Sequence, residues 1–576
     1  MKYSEILKRN QELKKELGEP DFKISMLSNI INHQLKDILE YNLRSGGLNG
    51  EVIIGEYDNI VQDSLQHNSS DVVLVFYELA NIVDSFIYKV ELFSDKEFND
   101  LVEKIKSEIT FVFENLKKAP IVLFNKFSTL VFDHLLLDPR GKAQEIASLL
   151  NTFINELSEE YKNVTIVDID KVLASTSVDE ATDFRYFSSS KMLYSVQFNR
   201  AYSSFIRPYI FSLKGKAKKA LVLDCDNTLW KGILGEDGFD AIQMSASTPA
   251  GKAYMEVQLI LKKLAKNGVL LNLCSKNNPE DVDEVIEKHE DMTLKADDII
   301  IKKVNWQDKV SNIREIAKEL NIGLDSLVFV DDSDFEVNFV RESLPEVTVV
   351  QVPKKAYEYP ILMQEVSKLF VNAQNSKEDA KRTAMYKEEQ KRKAAVSKFN
   401  NIDDYLSSLE LVAEISINNI DHYPRLAQMT QKTNQFNLTT KRYSESELSD
   451  FINSDDSEVF SLSVRDKFGD SGITGLAILK INDNIAEVDT LLLSCRILGR
   501  RIENIFFSEI VDYLSSKNIE LLNSLFIPTH KNAQVSDYFD KQGMELKNEN
   551  DGEKSYQLNL KDFKSVENDH IKVIRS

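Results

Sequence analysis

The stretch LVLDCDNTLWKGILGEDG, Leu221 to Gly238, runs a short apolar segment into two carboxylates one residue apart, with Thr228 two positions further on. An apolar run of that length without alternation reads as a strand buried on both faces, as a parallel sheet between helices requires. Side chains on a strand alternate, so Asp224 and Asp226 are expected on one side of its carboxyl end and Cys225 on the other. Two like charges so close need a cation or a shared proton to coexist. Mg²⁺, held by carboxylates together with phosphate oxygens of a substrate, meets that need.

In an open α/β sheet, ligands bind beyond the carboxyl ends of the strands, so the partners of this acid pair belong at other strand ends. VLLNLCS ends in Ser275, a hydroxyl suited to a phosphate oxygen, and SLVFVDD ends in a second acid pair, Asp331 and Asp332. Between them NWQDKVSNI offers Lys309 as a cation for phosphate charge, with Lys302 and Lys303 nearby as alternatives or plain surface charges. The metal set expected is Asp224, Asp226, Asp331 and Asp332. Asn227, Lys276 and Asn277 are the adjoining candidates for substrate contact.

The same alternation of strand-like and helical runs extends on both sides. DFKISML, EVIIG, DVVLVFY, IVLFNK and NVTIVDID are separated by amphipathic segments and predict a first α/β domain over residues 1–213. ALVLD, VLLNLCS, DDIII, SLVFVDD and VTVVQV predict a second, residues 214–355, built on a parallel sheet. Residues 356–409 turn charged and glycine-free, a helical connector. From residue 410 onward, GITGLAILKI and AEVDTLLLSC joined at NDN give a hairpin signal, followed by the helix RRIENIFFSEIVDYLSSKN, an α+β pattern. The fold class expected is α/β with three domains.

The bulk numbers bound the function. At 576 residues, 42% of them hydrophobic and 28% charged, the chain reads as globular. A formal net charge of −21 argues against nucleic-acid binding, which needs a basic face, although KGKAKK (Lys214 to Lys219) and KEEQKRK (Lys387 to Lys393) are local exceptions. No run approaches the roughly 18 apolar residues of a membrane helix, and the start lacks the apolar stretch of a secretory signal. Three scattered cysteines, Cys225, Cys274 and Cys495, fit a reducing compartment rather than a disulfide framework. The expectation is a cytoplasmic protein with no membrane or nucleic-acid partner.

Asp-x-Asp-x-Thr in DCDNT, Ser in LCSKN, Lys in DKVSNI and the terminal acids of VDDSDFE, in that order, resemble the four motifs of the haloacid dehalogenase (HAD) phosphatases. The resemblance implies that Asp224 is a nucleophile forming an aspartyl-phosphate and Asp226 the general acid and base. It also implies that Asp332 with Asp331 holds Mg²⁺, while Ser275 and Lys309 steady the transferring phosphoryl group. Only about twenty residues separate Thr228 from the next helix, so no cap domain is expected and the site should admit a bulky or tethered substrate.

DCDNTLWKGILGEDG, NLCSKNN, NWQDKVSNI and SLVFVDDSDFEVNFVRESLPEV resemble a narrower group, the FkbH-like enzymes of HAD subfamily IIIC. The likeness continues through QMTQKTNQFNLTTKRY, FGDSGITG, LLLSCRILGRRIE and PTHKN. It implies transfer of a glyceryl group from an acyl phosphate, 1,3-bisphosphoglycerate, with loss of phosphate, to a thioester on an acyl carrier protein. The last domain resembles the acetyltransferase (GNAT) fold. There, a glycine-containing turn opens a helix whose N–H groups meet a phosphate; here it reads Arg496-Ile-Leu-Gly499-Arg500-Arg501, with an arginine where the family has a small residue. Cys495 precedes that turn and is a candidate acyl carrier, its thiolate favoured by Arg496, Arg500, Arg501 and a helix N-terminus, or a small buried hydrophobe. Cys225 and Cys274 read as packing residues beside the phosphatase site, with acyl capture by Cys225 as the alternative. The first domain resembles the SGNH-hydrolase fold. LSNI, with Ser28 and Asn29, replaces Gly-Asp-Ser, and no Asp-x-x-His follows, so no esterase activity is expected; His33 reads as a surface residue.

Overall fold

The computed structural model describes residues 2–20, 22–132, 141–371, 386, 388, 392, 401–494, 497–529, 531–563 and 570–576. It is a multi-domain α/β protein that divides into two compact units, Met1–Leu213 with Tyr443–Glu447, and Lys214–Arg442 with Leu448–Ser576.

The first unit carries five strands, β1 (Phe22–Ser28), β2 (Gly50–Ile54), β3 (Val72–Phe76), β4 (Val122–Asn125) and β5 (Val164–Val167). They lie in the order β2-β1-β3-β4-β5 and every adjacent pair is parallel. All five residues of β3 are buried, which is why its sequence, VVLVF, shows no polar alternation.

The second unit holds two sheets. The first contains β6 (Ala220–Leu223), β7 (Leu270–Ser275), β8 (Ile299–Val304), β9 (Leu327–Asp331) and β10 (Thr348–Gln351), in the order β10-β9-β6-β7-β8, all parallel. Leu221, Leu223, Leu271, Leu273, Val328 and Val330 pack one face against a helix spanning Pro249–Lys266. That helix starts where its sequence says it should: Thr248 accepts from the Gly251 N–H, and Pro249 fills the first turn, where its missing donor costs nothing. A Cβ on Gly251 would stand 2.6 Å from the Ser245 carbonyl, so glycine is required there. The beginning of the expected connector is built into this core, with Tyr359 fully buried. Most of the rest of it lies outside the described residues.

The second sheet has eight strands, β11 (Leu411–Ile417), β12 (Ser457–Asp466), β13 (Gly469–Asn482), β14 (Ile485–Leu493), β15 (Leu521–Phe526), β16 (Glu545–Asn550), β17 (Glu553–Asn559) and β18 (Ile571–Arg575). Their order is β16-β17-β15-β14-β13-β12-β11-β18, antiparallel except at β14/β15 and β11/β18. The hairpin read at NDN is β13–β14. Pairing of β14 with β15 stops at Val488 and Ser524. Beyond that point the chain's own segment enters: Leu438 N–H donates to Leu491 O (3.1 Å), Leu493 N–H to Phe436 O (3.0 Å) and Ile527 N–H to Leu438 O (2.8 Å).

Candidate active site

The functional side chains gather at the carboxyl ends of β6, β7 and β9. Asp224 follows β6, fixed to the neighbouring strand by its N–H on Val330 O at 3.0 Å; Asp331 closes β9, with Asp332 next. One carboxylate oxygen from each of Asp224, Asp331 and Asp332 lies within 4.8 Å of the others. Lys309 opens the helix Lys309–Leu320, whose preceding Asp308 caps it by accepting from the Ser311 N–H. This start aims the ammonium inward, 2.8 Å from Asp224 Oδ1 and 2.5 Å from Asp331 Oδ2, with only 4% of the side chain exposed.

The charges explain the protonation behaviour. Burial and the Asp224 carboxylate push Asp331 up to about 6, against the opposing pull of Lys309. Asp332 is raised by the same two causes. Burial alone would lower the Lys309 ammonium, but Asp224 and Asp331 outweigh it and hold the lysine charged above its ordinary range. The alternatives to Lys309 are engaged elsewhere: Lys302 pairs with Asp283 at 2.6 Å, and Lys303 with Glu315 and Glu319 at 2.7 and 2.6 Å.

Asp226 lies outside the three-carboxylate group. The physical reason is that the chain leaves the strand at Asp224 and turns, and this carboxylate is taken by N–H donors. Oδ1 accepts from Trp230 Nε1 (2.9 Å) and the Leu234 N–H (3.0 Å), and Oδ2 from Asn277 Nδ2 (2.8 Å). Asn277 also reaches Ser275 Oγ at 3.3 Å, joining the acid to the buried hydroxyl at the end of β7.

The remaining expected contacts are placed as follows. Asn227 adopts a left-handed backbone, φ 50°, which asparagine tolerates, and its Oδ1 accepts from Lys231 Nζ and the Gly232 N–H. Thr228 is fully buried, its Oγ1 without a partner, and its carbonyl accepts from Tyr359. Lys276 Nζ pairs with Glu336 at 2.7 Å. Cys225 and Cys274 are completely buried, and burial pushes the first thiol far up and the second up to about 12, which suits packing rather than nucleophilic attack. The sequence reading missed Trp230, Tyr254, Tyr359 and Glu336. Trp230, one of only two tryptophans and four residues past Asp226, was the available signal.

In the last sheet, Cys495 and Arg496 lie outside the described residues. Gly499 has φ 80° and Arg501 φ 61°, where it precedes the helix Ile502–Ser516. Arg500 pairs with a carboxylate at the end of β12. Its guanidinium is 6% exposed and lies 3.3 Å from Asp466, which also receives Arg392 at 2.7 Å. In the first unit, Ser28 Oγ accepts from the Ile30 N–H (3.1 Å), Asn29 Nδ2 donates to the Glu78 carbonyl (2.9 Å), and His33 is exposed at the start of its helix.

No helix of the described residues is long and apolar enough to cross a membrane. No family model matches the chain, and no curated protein matches it. Among solved structures, similarity extends to two N-acetyltransferases. One, PaiA from Thermoplasma acidophilum in complex with coenzyme A, is 20% identical over 20% of this chain and 72% of that one, TM-score 0.18. The other, the ribosomal-protein-S18-alanine N-acetyltransferase of Escherichia coli, is 13% identical over 27% of this chain and 97% of that one, TM-score 0.21. A broader match is the N-terminal part of the protein BF1531 from Bacteroides fragilis, containing a phosphatase domain and complexed with Mg. It is 26% identical over 65% of this chain and 99% of that one, TM-score 0.56.

Proposed function

We propose that the chain is a Mg²⁺-dependent phosphatase of the haloacid dehalogenase type, coupled as in the FkbH-like enzymes to acyl transfer from an acyl phosphate to a carrier protein. The observation that carries the phosphatase reading is the group Asp224, Asp331 and Asp332 with Lys309 inside it. Three carboxylates and one ammonium leave two negative charges in a buried site, the deficit one divalent ion fills, and hard oxygen donors are what Mg²⁺ takes. The Mg-complexed phosphatase domain of the Bacteroides fragilis protein supports the same assignment.

Asp224, Asp331 and Asp332 would hold the ion, which when bound supplies charge neutralisation for the phosphoryl oxygens. With Oδ1 of Asp224 held by Lys309, Oδ2 is left to attack phosphorus, forming an aspartyl-phosphate as the phosphorus–oxygen bond to the leaving group breaks. Asp226 gives its proton to the departing oxygen, then takes one from the water that hydrolyses the aspartyl-phosphate, returning both acids to their starting state. Lys309 and Ser275 hold the phosphoryl oxygens. Cys495 is the proposed acyl carrier, and Asn227, Lys276, Asn277, Arg496, Gly499 and Arg500 are the proposed contacts or supports for substrate. The domain divisions proposed are 1–213, 214–355, 356–409 and 410–576.

Incubation with 1,3-bisphosphoglycerate, Mg²⁺ and candidate carrier proteins tests both halves. Phosphate release together with a mass increase on the carrier is the expected result. Phosphate release with no carrier adduct would leave a plain phosphohydrolase, and no release would remove the reading.

A further inference from the structure

We propose that Trp230 is a positioning residue that fixes which oxygen of Asp226 carries the catalytic proton; this rests on the phosphatase reading above. The indole is completely buried, yet its one polar group is spent on a carboxylate at a strand end, donating to Asp226 Oδ1 at 2.9 Å. The Leu234 N–H, brought round by the turn through Gly232 (φ 115°), donates to the same oxygen at 3.0 Å. Both acceptor directions of Oδ1 are thereby filled. Oδ2 receives one donor, Asn277 Nδ2 at 2.8 Å, and keeps one direction open. The proton Asp226 delivers therefore sits on Oδ2, the oxygen joined through Asn277 to Ser275, the hydroxyl proposed to hold the phosphoryl group. Without the indole N–H one acceptor direction of Oδ1 opens, and that oxygen becomes a second resting place for the proton, away from the Asn277 and Ser275 pair.

The scaffold around Trp230 is consistent with a fixed ring rather than a filler. Tyr254 donates to the Asn227 carbonyl (3.1 Å), Tyr359 to that of Thr228 (3.1 Å) and Gln258 to that of Leu229 (2.8 Å), so three consecutive carbonyls before the tryptophan are tied down. Those ties hold the backbone, and the indole N–H transmits that position to the acid beside the Leu234 N–H.

The test separates proton delivery from packing by varying the leaving group. In Trp230→Phe, first-turnover release of an alkyl alcohol from glycerol 2-phosphate should fall about tenfold at unchanged KM, while release of p-nitrophenolate, which needs little protonation, falls less than about threefold. Because the substitution leaves space around a buried ring, Trp230→3-benzothienylalanine, the same shape without the N–H, should give the same bias, and Trp230→5-fluorotryptophan, which keeps the donor, should restore the wild-type ratio. Equal losses on both substrates, or full activity of the benzothienyl variant on glycerol 2-phosphate, would overturn the inference. Asp226→Asn run alongside distinguishes the two levels. If it shows the leaving-group bias and the benzothienyl variant does not, Trp230 has no positioning role. If it shows no bias, Asp226 is not the acid and the inference falls with that assignment.

Discussion

Mg²⁺ binding should weaken about tenfold between neutral pH and pH 5, because a proton and the metal compete for Asp331. Its carboxyl is raised to about 6 by burial and by Asp224, well above its value in the unfolded chain. For a carboxyl raised in this direction, protonation favours the metal-free fold: the contribution is complete below the unfolded value and is lost as pH rises through about 6. The metal takes only the ionised form, so affinity falls as pH drops through that same window. One competing proton with a pKa of about 6 changes the apparent Kd by a factor of about 1.1 at pH 7 and about 11 at pH 5. That ratio is about 1.4 kcal/mol of binding free energy, and it subtracts equally from the stabilisation that a fixed excess of Mg²⁺ provides. Isothermal titration with MgCl₂ at pH 7, 6 and 5, backed by thermal unfolding with and without the ion, measures it. An affinity constant within twofold across that range would refute the argument, since either Asp331 would not be a ligand or its carboxyl would not feel the burial that the geometry imposes.

Asp224→Asn should remove the nucleophile and lower phosphate turnover by roughly 10³- to 10⁶-fold with the circular dichroism spectrum unchanged. Lys309→Met leaves the buried Asp224 and Asp331 carboxylates without their cation and should cost about 3–5 kcal/mol in urea unfolding without metal, with most of the loss recovered on adding Mg²⁺. Cys225→Ala and Cys274→Ala should retain phosphate release while losing about 1 kcal/mol of stability, and neither thiol should react with iodoacetamide in the native protein, since both are fully buried.

The parallel sheets were legible because their strands are buried on both faces. VVLVF and LVFVD have no alternation to mislead, and chemistry-bearing residues follow at their carboxyl ends by the geometry of the fold. Ser275, Lys309 and Asp331 could be named for that reason. Asp226 could not be placed the same way. Strand alternation predicts its direction only if the strand continues, and here β6 ends at Leu223, after which turn hydrogen bonds decide where the carboxylate goes. The last sheet was harder. Its edge strand β16, ELKNEN, is exposed along its whole length, so burial left no pattern in it, and β18 pairs with β11 across more than 150 residues of sequence.

The course of β9 bears on how the two proposed chemistries cooperate. Lys531, just past β15, pairs at 2.8 Å with Asp325, which lies before the start of β9; the neighbouring Asn532 donates to the carbonyl of Asn437, which bridges to Leu492 near the end of β14. The end of β14, where an acyl carrier is proposed, is thereby tied to the amino end of β9, whereas Asp331 is its last residue. β9 spans four residue steps at about 3.3 Å each, so roughly 13 Å of strand lies between its first residue, Leu327, and Asp331. Two proposed centres served from opposite ends of β9 would share a phosphorylated acyl group carried on a long arm or passed by diffusion. On an arm, Asp224→Asn should load the carrier with an acyl group that still bears its phosphate, detected as a mass increase larger by one phosphoryl group than with the wild type. A carrier loaded by that variant with the unphosphorylated acyl group would mean that phosphate is removed without the HAD-type centre, and the separation along β9 would have no part in the reaction.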